Sequence, residues 1–323
     1  MIILTKSERV TLRLSARQQV RLKVKTNDGL IGAAAVAAAS VLWGTTDTAA
    51  ALAPEVGAAA IGACAMGSGG LLQALLAAGG IRAAKQKLRD EWRLVLFGGL
   101  CVFIYPLAFY ESMRCAGVTV GTVVSIGASP LMAALVEIVV DRDRVSARWA
   151  AGAFIGIAGM VLLALAPGAS SAGDSMLFGL FLSLAAALTY ALYTWAAGRL
   201  MRRGIASRTA MGAVFGIGGL ALMPVLLMTG APFLASWQNA SVGIYMALVP
   251  MLLGYILFGY GLARVKASTA TAISLLEPAV ASLLAAAVIG ERLSLLGWTG
   301  IGLIFVSLAV VMTASASGGK RAK

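Results

Sequence analysis

The second half of this chain repeats the first at a constant offset of 148 residues. Asp143-Arg144-Val145-Ser146 returns as Glu291-Arg292-Leu293-Ser294, Pro130 as Pro278, and Gly152 as Gly300. The same shift lays Leu42-Trp43-Gly44-Thr45-Thr46 over Tyr190-Ala191-Leu192-Tyr193-Thr194. One offset that accounts for several matches points to internal duplication. A duplicated chain folds as two related units, and their relation depends on how often each unit crosses the medium around it.

That medium is lipid. Of 323 residues, 60% are hydrophobic and only 12% charged, against about 25% charged in an ordinary soluble domain. A helix needs about 20 apolar residues to cross a bilayer. Ten segments qualify: 30–51, 54–80, 94–112, 118–140, 147–166, 176–198, 207–229, 241–262, 267–289 and 294–314. The connections between them are short, and none is long or polar enough to be a soluble domain. The fold class expected is therefore an all-α integral membrane protein of ten transmembrane helices.

Direction follows from Lys and Arg, which gather on the cytoplasmic side of membrane proteins. Of the 26 basic residues, 24 fall on the two tails and on alternate connections, leaving only Arg114 and Arg292 for the other side. A miscounted span would scramble this alternation. Both termini are thus expected in the cytoplasm, and the formal charge of +13 reads as topology rather than as a nucleic-acid surface. Each unit holds five spans. An odd-numbered unit repeated in tandem must lie upside down the second time. The organisation expected is a basic tail at 1–29, one five-helix repeat at 30–166, an outside linker at 167–175, an inverted five-helix repeat at 176–314 and a basic tail at 315–323. Leu30 onward reads as a retained first span, because the residues before it lack an apolar core of their own. The tail alternates apolar and basic residues at Thr11-Leu12-Arg13-Leu14 and Arg21-Leu22-Lys23-Val24, a pattern that suits anionic headgroups as well as a tail that only sets topology.

Several chemistries lose their usual parts. The chain has no histidine, the commonest general base and metal ligand. Cys64, Cys101 and Cys115 sit in or beside apolar segments without metal-ligand spacing and read as packing residues. No glycine-rich loop stands at a strand–helix junction to cradle phosphate. No catalytic constellation occurs at membrane depth, so no enzyme activity, metal or cofactor is expected.

What stands out inside the spans is polar, kinked or aromatic. A carboxylate in hydrocarbon costs at least ~2.5 kcal/mol. Asp47 and Glu277 sit deep without a Lys or Arg at comparable depth, so each must face water, be protonated or accept hydrogen bonds. Asp47 follows Trp43 by four residues and shares its helix face. Glu111 and Glu137 lie near span ends and are expected to reach water. Pro130 and Pro278 fall mid-span in repeat-related helices, each removing a backbone hydrogen bond and kinking its helix. The carbonyls of Ile126 and Ser274 lose their donors. Two kinks at equivalent depth suit a pathway between the halves. Pro106 and Pro250 add unpaired kinks. Trp92, Trp149 and Trp298 read as interface anchors, whereas Trp43 and Tyr190 are deeper. Gly152-x-x-x-Gly156 permits close helix approach within the protomer.

On these residues the chain resembles the ten-span EamA-type members of the drug/metabolite transporter superfamily. The likeness rests on Leu42-Trp43-Gly44, on Leu276-Glu277-Pro278-Ala279 with Gly290-Glu291-Arg292-Leu293-Ser294 and Gly300, and on the first-half copies Ser129-Pro130-Leu131 and Asp143-Arg144-Val145-Ser146. It covers residues 30 to 314. The chain departs from many members in having no Arg between Ala58 and Gly69, and in its long basic tail. The resemblance implies two inverted five-helix bundles around a central cavity, moving small metabolites, often amino acids and often outward, without ATP. The expectation is an inner-membrane secondary transporter working by alternating access, with a passive channel or a lipid flippase as alternatives on the same fold. Its substrate site would be lined by Trp43, Asp47, Ser129, Pro130, Tyr190, Ser274, Glu277 and Pro278. The partners expected are a small-molecule substrate, a coupling proton carried by Asp47 or Glu277, and membrane lipids; no nucleic acid is expected, and the oligomeric state is left open.

Overall fold

A computed structural model of the protein describes residues 28–166, 175–289 and 294–317. The N-terminal tail, linker residues 167–174, the Glu291-Arg292-Leu293 copy of the repeated motif and residues 318–323 lie outside the described residues. All secondary structure described is helical. Ten helices are long and apolar enough to span a bilayer: α1 (Asp28–Ala51), α2 (Ala58–Leu76), α3 (Trp92–Ala116), α4 (Val120–Val140), α5 (Ala147–Ala164), α6 (Met176–Arg202), α7 (Ser207–Thr229), α8 (Trp237–Leu262), α9 (Ala267–Val288) and α10 (Leu295–Ala314). Backbone groups in lipid must be satisfied within their own segment, and helices do this. The protein is a multi-pass membrane protein built from two inverted five-helix repeats.

Packing follows the repeat. Helices α2, α4 and α5 each lie against their own copies, α7, α9 and α10, as a two-fold relation in the membrane plane requires. Gly152 shows how such a pair closes. A Cβ there would meet Val311 and Val310, so its absence lets α5 and α10 touch. Ser307 Oγ then donates to the Gly152 carbonyl at 2.7 Å. The Gly152-x-x-x-Gly156 stripe thus joins helices within the protomer. The repeated motif has an equally local meaning. Ser146 Oγ accepts from the Trp149 amide at 3.1 Å at the start of α5, and Ser294 Oγ accepts from the Gly297 amide at 3.2 Å at the start of α10. Both serines are helix N-caps.

Two spans are broken. The α1 helix turns at Gly44 and Thr45, and α9 turns at Ser274 and Leu275. In α9 the cause is Pro278, which has no N–H to give the Ser274 carbonyl; that carbonyl instead accepts from the Glu277 amide at 3.0 Å. The two repeat-related prolines differ in whether the helix is interrupted beside them. Helix α4 runs unbroken through Pro130 from Val118 to Val140, so only one member of the proline pair accompanies a break. Two further spans widen into π-helix, α2 over Ala63–Ser68 and α8 over Ala247–Gly254, the latter around Pro250.

The face carrying most Lys and Arg is cross-linked by charge. Asp141, at the end of α4, pairs with Arg199 and Arg202 of α6 and accepts from Trp195 Nε1 at 2.8 Å. Glu91 pairs with Arg203, and Lys266 with Asp143 at 2.8 Å. Glu137 does not reach water as expected. It is 2% exposed and accepts from the Ser268 amide at 3.2 Å and Ser268 Oγ at 2.5 Å. Two donors at the first turn of α9 offset the cost of burying that carboxylate. Trp149 is likewise buried rather than an interface anchor, whereas Trp92 and Trp298 are exposed. On the opposite face the ties between repeats are fewer and uncharged among the described residues. Thr45 Oγ1 bonds the Tyr245 hydroxyl at 2.7 Å, and Gln238 Nε2 donates to the Leu52 carbonyl at 2.7 Å.

Candidate functional site

The broken helices meet mid-bundle. A Cβ on Gly44 would collide with Val280 and with the Glu277 carbonyl, so glycine lets the α1 break lie directly against α9. From that crossing Trp43 projects between the repeats. Its indole packs on Tyr255 and Phe258 of α8, ring centroids 4.8 and 5.2 Å away. Its Nε1 donates to the Pro250 carbonyl at 3.0 Å. Gly254 makes room for this ring, since a Cβ there would press on Trp43 Nε1.

Beside Trp43 lies a narrow, partly open cavity with about 30 Å³ of room for the centre of a water-sized sphere. Both repeats supply its walls: Trp43 and Thr46 from α1, Met66 from α2, Tyr105, Pro106, Phe109 and Tyr110 from α3, Tyr190 from α6, Met251 and Tyr255 from α8, and Glu277 from α9. The aromatic wall is held by ring contacts, Tyr105 to Tyr190 at 5.4 Å and Tyr105 to Phe109 at 5.6 Å. It is also held by hydroxyl bonds, Tyr193 to Tyr255 at 2.9 Å and Tyr190 to Ser274 Oγ at 2.7 Å. The second bond ties α6 of one repeat to the break in α9. Met66 and Met251 both project from the π-helical segments, which re-aim side chains relative to a regular helix.

The cavity's charge is one-sided. Among the described residues Glu277 is the one carboxylic acid that lines it, and no Lys or Arg does. Among the described residues the Glu277 carboxylate has no hydrogen bond or ion pair, and Asp47 is its electrostatic neighbour. Asp47 is exposed yet sits in the densely packed middle of the bundle. That combination belongs to the wall of an internal crevice, not to the lipid-facing periphery, where an unpaired carboxylate is expensive.

Of the residues singled out in the sequence, Trp43, Tyr190 and Glu277 line the cavity. Ser274 stands behind Tyr190, Pro278 follows Glu277 on the same half-helix, and Asp47 lies one residue beyond Thr46. Ser129 and Pro130 are not brought in. Both are buried, and Ser129 Oγ is spent on the Ser125 carbonyl at 2.6 Å. The sequence reading missed the α3 wall of Tyr105, Phe109 and Tyr110, together with Tyr255. The signal available was the unmatched Pro106, which directly follows Tyr105.

A model of the EamA-like transporter family matches residues 30–165 and again residues 177–313. The chain belongs to this family. An uncharacterized transporter, YwfM, of Bacillus subtilis (strain 168) is 32% identical over 277 residues, covering 85% of this chain and 92% of the relative. A probable terminal-alkyne amino-acid exporter of Streptantibioticus cattleyicolor is 27% identical over 219 residues, covering 67% of this chain and 71% of that protein. One solved crystal structure superposes with a TM-score of 0.69 at 20% identity, covering 90% of this chain and 97% of the other, which is a likeness of fold. This EamA-like protein is a membrane transporter whose two family repeats both contribute to one mid-membrane cavity.

Proposed function

We propose that this EamA-like protein is an inner-membrane secondary transporter that exports amino acids or similar small metabolites by alternating access, with its basic face and both termini in the cytoplasm. The observation that carries the reading is the uneven burial of α9. Residues 267–276, on the basic face's side of the cavity, are buried without exception, whereas every residue described from Glu277 to Val288 except Ala279 keeps accessible surface. A cavity between inverted repeats that is closed toward one face and open toward the other is what one state of a carrier requires. The other state follows by rocking one repeat against its copy. A channel would need both ends open at once.

The name of the Streptantibioticus relative supports amino acids as the solute class and export as the direction. Asp47 and Glu277 are the groups able to carry a coupling proton, being the deep carboxylates at the crevice. The test is reconstitution of the full chain into liposomes with a panel of labelled amino acids. Saturable, solute-specific counterflow is expected. Flux that is linear in concentration and shows no counterflow would mean a channel, and movement of labelled lipid alone would mean a flippase. Equal flux with and without a pH gradient would remove the coupling proton.

A further inference from the structure

We infer that the cavity recognises its solute by a cationic amine, with Glu277 and Asp47 as the counter-charges and the rings of Trp43, Tyr105, Tyr190 and Tyr255 as the cage. This rests on the transport reading above and names the solute group the site selects. The argument is one of charge and surface. Six aromatic rings line the cavity, and the face of such a ring attracts cations and repels anions. The cavity adds the Glu277 carboxylate, without a partner among the described residues, and Asp47 is that carboxylate's electrostatic neighbour. Among the described residues it offers no basic side chain to receive a carboxylate or phosphate, and the chain has no histidine to supply one.

Two of the backbone amides at the breaks are already spent. The break in α9 would be the obvious source of free amides, but the Glu277 amide is already given to the Ser274 carbonyl. At the α1 break the Thr45 amide is given to the Leu42 carbonyl at 3.2 Å. An ammonium group placed between Glu277 and the rings would satisfy the carboxylate and gain the ring faces together. The same place offers a solute's own carboxylate no Lys or Arg among the described residues. A zwitterionic amino acid therefore enters amine-first, with its carboxylate left toward the open end. A simple amine of the same skeleton fits at least as well, and an N-acylated acid, which has lost its cation, does not fit.

A matched set tests this: phenethylamine, phenylalanine and N-acetylphenylalanine share one ring and differ in charge as cation, zwitterion and anion. Binding of each to the purified full chain is measured by calorimetry, and counterflow of each is measured in proteoliposomes. The expected order is phenethylamine, then phenylalanine, with N-acetylphenylalanine at least about tenfold weaker than the amine, the loss of one good charge contact. Glu277→Gln is expected to weaken the amine by about tenfold or more while leaving N-acetylphenylalanine unchanged or improved. Should that variant not fold, Asp47→Asn, at an exposed position, is expected to shift the preference in the same direction by a smaller factor. N-acetylphenylalanine binding as well as phenethylamine would overturn the inference, as would Gln at 277 leaving amine affinity unchanged. Amine binding without counterflow would keep the cation site and defeat the transport reading. Counterflow indifferent to solute charge would do the reverse.

Discussion

Trp43 shows how one side chain can organise a site in a medium where apolar burial drives little. Its indole touches two rings of the opposite repeat and gives its only N–H to the Pro250 carbonyl. Trp43→Phe keeps most of the ring contact and loses the hydrogen bond, which is worth about 0.6 to 1.5 kcal/mol between membrane helices. Trp43→Ala loses the ring as well, at a cost of about 3 kcal/mol or more. The thermal midpoint of the purified protein in detergent should therefore fall slightly for Phe and steeply for Ala; equal falls would mean that the ring contacts contribute nothing. Trp43, Asp47, Tyr190 and Glu277 could be picked from the sequence because polar or amphipathic groups stand out against alanine and leucine at membrane depth. Tyr105, Tyr110 and Tyr255 could not, since a tyrosine in a span reads equally as packing unless, like Tyr190, it also falls on the repeat of the Leu42-Trp43-Gly44 segment. Ser129 and Pro130 were chosen by symmetry with Glu277 and Pro278, which stand 148 residues on. The symmetry does not extend to the backbone, which is unbroken at Pro130 and turns at Ser274 and Leu275, and Ser129 is satisfied within its own helix.

At the scale of elements, the duplication was legible where it governs helix ends. The repeated serine of the Asp/Glu-Arg motif caps α5 in one copy and α10 in the other. Ser146→Ala and Ser294→Ala should each cost about 0.5 to 2 kcal/mol, the usual worth of an N-cap, seen as similar falls in thermal midpoint. A fall from one and none from the other would mean that the caps are not equivalent despite the repeat. The breaks were not legible as a pattern. Proline marked that of α9, but nothing in Gly44-Thr45 distinguishes a broken α1 from an intact helix until Val280 and the Glu277 carbonyl are seen against Gly44. Pro278 lies in the first turn of its half-helix, where a missing N–H costs little. Pro278→Ala should change stability by less than about 1 kcal/mol. It should still slow transport, because a restored donor for the Ser274 carbonyl straightens α9 and swings Glu277 out of the cavity. Full transport activity in that variant would show that the break is dispensable.

At the scale of the whole molecule, the inverted repeats are alike in packing and unlike in charge. Under the 148-residue shift, the positions equivalent to Glu137, Asp141, Arg199, Arg202 and Ser268 are Ala285, Ile289, Ala51, Pro54 and Val120. The acid–base ties of the basic face therefore have no copies on the other face, where closure would bring apolar residues together. Closure of one face then depends on ion pairs and one buried carboxylate, and closure of the other on close packing. A hydrogen bond to a buried charged group is worth about 1.5 to 3 kcal/mol, whereas an exposed ion pair is worth under about 1 kcal/mol. The state closed at the basic face should thus be weakened most through Glu137 and less through Asp143. Thr271 is fully buried on the closed side of the cavity. With Cys64, Cys101 and Cys115 replaced by alanine and Thr271→Cys introduced, a membrane-impermeant maleimide applied to the basic face reports opening there. Adding Glu137→Ala should raise the labelling rate by about tenfold or more, since each 1.4 kcal/mol shifts the open fraction tenfold. Asp143→Asn should raise it only slightly. Labelling that stays slow in both variants, with the protein still folded and reconstituted, would show that close packing alone seals the basic face and that the charge asymmetry serves only to orient the chain in the membrane.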